Sequence, residues 1–341
     1  MRASISILIW ALIVCQAVVG DIRAEDHADL PKNHSVKPRL YATGFTFAEG
    51  PAFDPASDDP GDLFVVNYRE SGTIGRISTD GTAGIFCDLR KLAPLEGEEP
   101  RANGLKMAVQ GRLVVADAGA GRLLRVDADG KAAEVLADRW EGKRFNSIND
   151  ISLDPEGNIY FSDPGGSSVL NPIGSIYRYD IKTSKVSRLA TGFAFPNGLA
   201  VYPNKCAETP GQSYLCLAES QAYRVVIFDL SPDGKVGNKR VLIDFPTETR
   251  GEIIGGSLNP DGMIFDDAGR LYVAMFGGGV INVVEVPSGK LIRQYTAGGS
   301  RVTNCHFNNG YLYHTVADKE AVFRLKLGVQ GYNYNGAPNG D

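Results

Sequence analysis

Histidine is scarce in this chain: there are four in 341 residues, and only His306 and His314 fall in strand-like segments, His27 and His34 lying near the start. A Ser/His/Asp hydrolase would have to draw on the last two, and no Gly-x-Ser-x-Gly elbow is present to supply a nucleophile. Both therefore read as structural or channel-lining residues. The five cysteines show no Cys-x-x-Cys pair and no Cys/His spacing for a zinc site. A basic surplus is also missing: the formal net charge is -5, which argues against a nucleic-acid partner and suits a cation site. Gly277-Gly278-Gly279 is followed by no Lys-Ser or Lys-Thr, so a phosphate loop is not indicated. No amphipathic helical stretch exceeds about three turns; the best helix candidate is the turn around Leu89 to Leu92.

The N-terminus has one apolar run, from Ile5 to Val19, preceded by Arg2 and closing on Gly20. It is shorter than the ~20 residues of a spanning helix and reads as a secretory signal peptide over residues 1–20, cut after Gly20 or Ala24. A secreted or periplasmic protein without stable membrane insertion is expected. Residues 21–36 are polar and read as a flexible leader, 37–328 as one domain and 329–341 as a tail. Cys206 and Cys216 bracket the longest turn of that domain and are expected to form a disulfide in an oxidising compartment. Cys87 and Cys305 sit in apolar contexts and read as inert.

What is abundant is repetition. Ala42-Thr-Gly-Phe-Thr-Phe-Ala-Glu-Gly50 recurs as Ala190-Thr-Gly-Phe-Ala-Phe-Pro-Asn-Gly198, with Glu49 and Asn197 at the same position. Four further entry points carry Asn103, Asn149, Asp261 and Asn304, which makes six repeats spaced 43 to 64 residues apart. Each leads into an alternating hairpin, such as Gly269-Arg-Leu-Tyr-Val-Ala, the period-two signature of half-buried antiparallel strands. Six four-stranded units arranged radially make an all-β six-bladed β-propeller. The last repeat stops after its third strand, while Arg39 to Ala42 has no unit of its own, so the N-terminal strand is expected to close the ring.

In a propeller the first strand of every blade lines the axis, so Glu49, Asn103, Asn149, Asn197, Asp261 and Asn304 should converge although they span 255 positions. Taken singly, Asn-Gly and Asp-Gly are ordinary turn dipeptides. Six oxygen-bearing side chains at one register point instead to a hard-cation site, suited to Ca²⁺ or alternatively Mg²⁺ or Mn²⁺.

As an ordered set, Glu49-Gly-Pro, Phe145-Asn-Ser-Ile-Asn149-Asp150, Gly157-Asn-Ile-Tyr-Phe-Ser-Asp163-Pro, Pro196-Asn197-Gly-Leu and Pro260-Asp261-Gly-Met resemble the gluconolactonase, regucalcin and senescence-marker-protein family. The resemblance covers essentially the whole domain and implies a cation-binding propeller, in many relatives a hydrolase of sugar lactones. It implies Glu49, Asn149, Asn197 and Asp261 as metal ligands, with Ca²⁺ the expected ion and Mg²⁺, Mn²⁺ or Zn²⁺ as alternatives. Asn103 and Asn304 would then support the ligands or touch substrate. Phe53, where many relatives carry Trp, and the insertion between Cys206 and Cys216 depart from the family pattern. The expected activity is metal-dependent hydrolysis of a small lactone or ester by a monomer, with the cation polarising the carbonyl and Asp261 as base. Asp150 and Asp163 are further acid candidates, Asp163 reading rather as turn chemistry. Organophosphate hydrolysis by the same site, or a secreted calcium-binding propeller without turnover, are the alternatives.

Overall fold

The computed structural model describes residue 27 and residues 29–53, 61–69, 72–202, 213–246 and 259–334. The expected signal peptide lies outside them, as do Cys206 and the loop 247–258. Six four-stranded antiparallel sheets follow one another, each with its first strand innermost. The inner strands are Ala48–Phe53, Ala102–Met107, Ile151–Leu153, Pro196–Tyr202, Asn259–Phe265 and Val302–Asn308, which number blades 1 to 6. Each inner strand lies against those of the two neighbouring blades, blade 6 against blade 1 included, so the ring is closed. Arg39–Thr43 pairs antiparallel with Ala321–Lys326 as the outer strand of blade 6, the closure expected from the sequence.

The core is divided as the alternation requires. Leu271, Val273 and Met275 of blade 5 pack toward blade 4, whereas Tyr272 and Ala274 of the same strand pack toward blade 6. Six apolar clusters result, one at each interface between neighbouring blades. Strands apolar on both faces are thus sandwiched, and burial at some 25 cal/mol per Å² of apolar surface holds the ring together. The only α-helix among the described residues is the turn Leu89–Leu92, started by Asp88, whose carboxylate accepts from the Arg90 backbone N–H. No helix among the described residues is long and apolar enough to cross a membrane.

Two expectations are corrected. The segment expected to be a flexible leader is docked from Asp29 onward: Leu30 is buried between blades 5 and 6, and Tyr295 Oη donates to Pro31 O at 2.8 Å. Arg270 Nη1 donates to Asp29 at 2.7 Å, and Gln294 N donates to Asn33 Oδ1 at 3.0 Å. The expected disulfide is not formed either, because Cys216 is a free thiol. It lies on the second strand of blade 4, opposite Ala200 and Ile227, and points into the apolar interface with blade 5. Burial pushes the Cys216 thiol well above its usual range, as expected of an inert cysteine. Cys87 and Cys305 are likewise free and buried, each pushed up by burial to about 12.

The last described residues cover the far end of the axial channel. Tyr332 N donates to Phe265 O at 3.0 Å, and Tyr334 Oη pairs with His306 Nε2 at 2.8 Å. The mouth at which the polar residues lie is the opposite end, where the inner strands begin.

Candidate metal and active site

At that mouth the inner strands are bulged. In five of the six blades the pairing of first and second strands slips across the polar residue or beside it, between Glu49 and Ala52, Ala102 and Leu105, Pro196 and Leu199, Pro260 and Met263, and Val302 and Cys305. A bulge bends the strand and re-aims one side chain, here toward the axis. In blade 3 the same place is held by Asn149 N donating to Ser162 O at 2.9 Å and Ser162 N donating to Asp150 O at 3.1 Å. The glycines after the polar residues allow the blades to approach: a Cβ on Gly104 would overlap the Asp150 carboxylate, and one on Gly262 would overlap the Asn304 side chain.

The repeated Gly-Phe-x-Phe stretch acts in the same way in blades 1 and 4. Its first phenylalanine, Phe45 or Phe193, anchors in the core. The second, Phe47 or Phe195, takes a left-handed backbone with φ of 52° and 58°, uncommon for a bulky residue and the kind of strain that gathers at functional sites. Both second rings face the mouth.

Glu49, Asn103, Asn149, Asn197 and Asp261 line one cavity of about 270 Å³, together with Phe47, Tyr68, Phe195 and Phe276. Asp150 lies at 2% exposure beside it and receives the Asn304 amide at 3.3 Å and the Ile151 N–H at 2.8 Å. Burial holds the Glu49 carboxyl well above its ordinary range, reinforced by the charges of Asp261 and Asp150 and opposed by the Gly50 N–H and Lys106. Asp261 is raised in the same way by burial and by Asp150, against hydrogen bonds from Asn197 and Gly262. The Asp150 carboxyl is also raised by burial, less so because of Lys106, Ile151 and Asn304.

Three carboxylates are thus gathered out of water, and among the described residues Lys106 is the one cation acting on Glu49 and Asp150. Buried like charges are costly without a counter-ion. Among the described residues no three of His, Cys, Asp and Glu are placed to hold an ion by themselves, so an ion bound here would need the amide oxygens of the asparagines. A mixed carboxylate and amide set fits a hard divalent cation such as Ca²⁺. It fits Zn²⁺ poorly, for want of nitrogen and sulfur.

The other sequence-derived candidates fall elsewhere. Asp163 accepts from Asn146 N at 3.1 Å and Ser147 N at 2.9 Å, a clamp on the loop leading to Asn149 and not a cavity residue. Asn304 reaches the site through Asp150. His306 and His314 are buried and held neutral by burial, down to about 3 and about 4, engaged with Tyr334 and with the Ala297 carbonyl. Sequence reasoning missed Lys106, 3% exposed on the inner strand of blade 2. Its signal was a lysine three residues after Asn103 in an otherwise apolar strand. Phe47, Tyr68, Phe195 and Phe276 were also missed, although two of them belong to the repeated stretch.

A closed six-bladed ring with an oxygen-lined axial pocket defines a class of propeller proteins built around the mouth of their channel. Residues 47–318 match the model of the SMP-30/Gluconolactonase/LRE-like region, and the chain belongs to that family. It is 30% identical over 305 residues to the diisopropyl-fluorophosphatase of Loligo vulgaris, covering 82% of this chain and 88% of that one. It is 28% identical over 224 residues to a gluconolactonase of Zymomonas mobilis, covering 61% of this chain and 58%, less than two thirds, of that one. Among solved structures, a gluconolactonase of Xanthomonas campestris superposes with a TM-score of 0.67 at 23% identity, over 87% of this chain and 97% of that one. A calcium-binding regucalcin of Agrobacterium tumefaciens superposes with a TM-score of 0.69 at 20% identity, over 89% and 98%. These two likenesses establish the fold.

Proposed function

We propose that this chain is a divalent-cation-dependent hydrolase of lactones or related small esters, acting at the mouth of the channel where the inner strands begin. The observation that carries the reading is the convergence of Glu49 and Asp261, both buried, with three asparagine amides on one pocket. Glu49, Asn149, Asn197 and Asp261 would hold the ion, Ca²⁺ by the chemistry of the donors. When bound, it supplies Lewis-acid polarisation of the carbonyl oxygen.

The chain's own part is proton handling and exclusion of water. Asp261 takes a proton from the water that attacks the carbonyl carbon. As the ring C–O bond breaks, that proton passes to the departing alkoxide, leaving a hydroxy acid and a regenerated carboxylate. Of the six residues of the ring, only Asp261 and Glu49 carry a carboxylate for this role. Phe47 and Phe195 wall the pocket on the mouth side and limit solvent access.

Hydrolysis of an organophosphate is the second reading. It is favoured by the Loligo phosphatase, which matches more of this chain than the gluconolactonase does. A panel of lactones, esters and fluorophosphates, assayed with Ca²⁺, after chelation and after add-back, tests both. Lactone turnover lost on chelation and restored by Ca²⁺ is expected. Turnover of the fluorophosphate alone would move the assignment to the second reading.

A further inference from the structure

The cavity's mouth is built unlike its floor. Tyr68, Phe47 and Phe276 line the same cavity as Glu49 and Asp261 and form a continuous wall, with ring centroids 5.6 Å apart from Tyr68 to Phe47 and 6.3 Å from Phe47 to Phe276. Each of the three rings carries a guanidinium. Arg101 lies 5.0 Å from the centroid of Tyr68, Arg69 5.0 Å from Phe47 and Arg301 5.9 Å from Phe276.

Elsewhere arginines are commonly matched with carboxylates, as Arg122 with Asp117 and Arg270 with Asp266, each at 2.7 Å. The guanidinium groups of Arg69, Arg101 and Arg301 form no ion pair among the described residues, although the backbone N–H groups of Arg101 and Arg301 donate to the carboxylates of Asp117 at 2.8 Å and Asp318 at 2.7 Å; Arg101 Nε is buried without a hydrogen bond. Stacking on a ring holds a guanidinium in place without consuming its donors. Those donors stay available to a planar anion.

We infer that the substrate is a lactone or ester with a flat apolar or aromatic body and a carboxylate remote from the reacting carbonyl; this rests on the hydrolase reading. The body lies along the wall of Tyr68, Phe47 and Phe276, and the carboxylate meets the rim arginines. The uncharged carbonyl end is then the part that enters the acidic floor. The orientation follows from competition for the ion: a substrate carboxylate at the floor would occupy the cation proposed to polarise the carbonyl, whereas along the wall it meets guanidinium groups stacked on the rings. A polyhydroxylated sugar lactone would leave the three guanidinium groups without an anion and would meet hydrogen-bonding groups on only part of the wall.

Binding of coumarin-3-carboxylate and of uncharged coumarin, followed by fluorescence on the Ca²⁺-loaded full chain, tests recognition without requiring turnover. The carboxylate is expected to bind about tenfold more tightly than coumarin, with the preference collapsing in 0.5 M salt, because Arg69 and Arg301 are exposed and screened. In R69Q/R301Q, which alters two exposed side chains, the preference should fall to near unity. F47L should weaken both ligands alike. Equal affinity for the two coumarins in the wild type, or a preference untouched by R69Q/R301Q, overturns the inference. A kcat/KM for glucono-1,5-lactone above that for dihydrocoumarin also overturns it while leaving the hydrolase reading intact. Charge-selective coumarin binding with no hydrolysis of any lactone would sustain the recognition and remove the hydrolase.

Discussion

The amide of Asn304 donates to the carboxylate of Asp150 at 3.3 Å, joining blade 6 to blade 3 across the axis of the ring. Opposite blades touch directly under the cavity, so the floor of the site is fixed by residues that are 154 positions apart. Asn304→Ala removes that donor and leaves Asp150 with the Ile151 N–H and the field of Lys106. The expected cost is about 1–3 kcal/mol of stability for an under-satisfied buried carboxylate, read by urea unfolding. A several-fold loss of Ca²⁺ affinity should accompany it, whereas unchanged values for both would detach Asp150 from the site.

The approach of blades 5 and 6 depends on Gly262, where any Cβ would overlap the Asn304 side chain. Gly262→Ala should displace Asn304 and cost about 1–3 kcal/mol, the usual scale of overpacking. The check is a thermal melt with a calcium isotherm alongside. A variant with native stability and native affinity would show that the inner strands have slack.

Much of the fold could be read from the sequence because each blade carries its own period-two pattern, and six such patterns admit few arrangements. The register of the site was readable for a related reason: a polar residue followed by a small one, at the entry of every repeat, is visible without knowing the bulge that re-aims it. Three features were hidden. Leu30 is a lone apolar residue in a polar stretch, and its docking is carried largely by backbone and side-chain hydrogen bonds that leave no periodic trace. Cys206 and Cys216 are near in sequence, but the strand through Tyr214, Leu215, Cys216 and Leu217 is buried on both faces, which turns Cys216 inward. The wall at the mouth was obscured because Phe47 and Tyr68 come from different strand ends, brought together by the left-handed turn at Phe47.

The docking of residues 29–36 makes the leader a stability element. Deleting residues 1–36 removes Leu30 from the interface of blades 5 and 6 and unpairs Arg270 from Asp29. A loss of about 2 kcal/mol is expected from the leucine, with blade 5 showing the faster amide exchange. A truncated protein that melts with the full chain would mean these contacts contribute nothing net.

Acid stability has a definite direction at His314. Its ring is fully buried, with Nε2 at 2.8 Å from the Ala297 carbonyl, and burial depresses it from 6.5 to about 4. The unfolded chain therefore binds the extra proton, so stability present above pH 6.5 is lost as pH falls toward 4. His306 acts in the same direction, lowered to about 3. Unfolding free energies of wild type and His314→Gln should diverge in slope over that window, the wild type losing up to about 3 kcal/mol more. Parallel curves would place the acid sensitivity elsewhere.

The role of Asp261 is tested most directly by Asp261→Asn, with Ca²⁺ affinity and lactone turnover measured on the same preparation. The substitution keeps the shape and an oxygen donor on the inner strand of blade 5 and removes the carboxylate. Calcium binding should weaken modestly, while kcat at saturating Ca²⁺ falls by about 10²–10⁴, the scale of a lost general base. Glu49→Gln should do the reverse, weakening the ion more and recovering activity in excess Ca²⁺. Turnover by Asp261→Asn equal to wild type at saturating Ca²⁺ would contradict the assignment of Asp261 as the base.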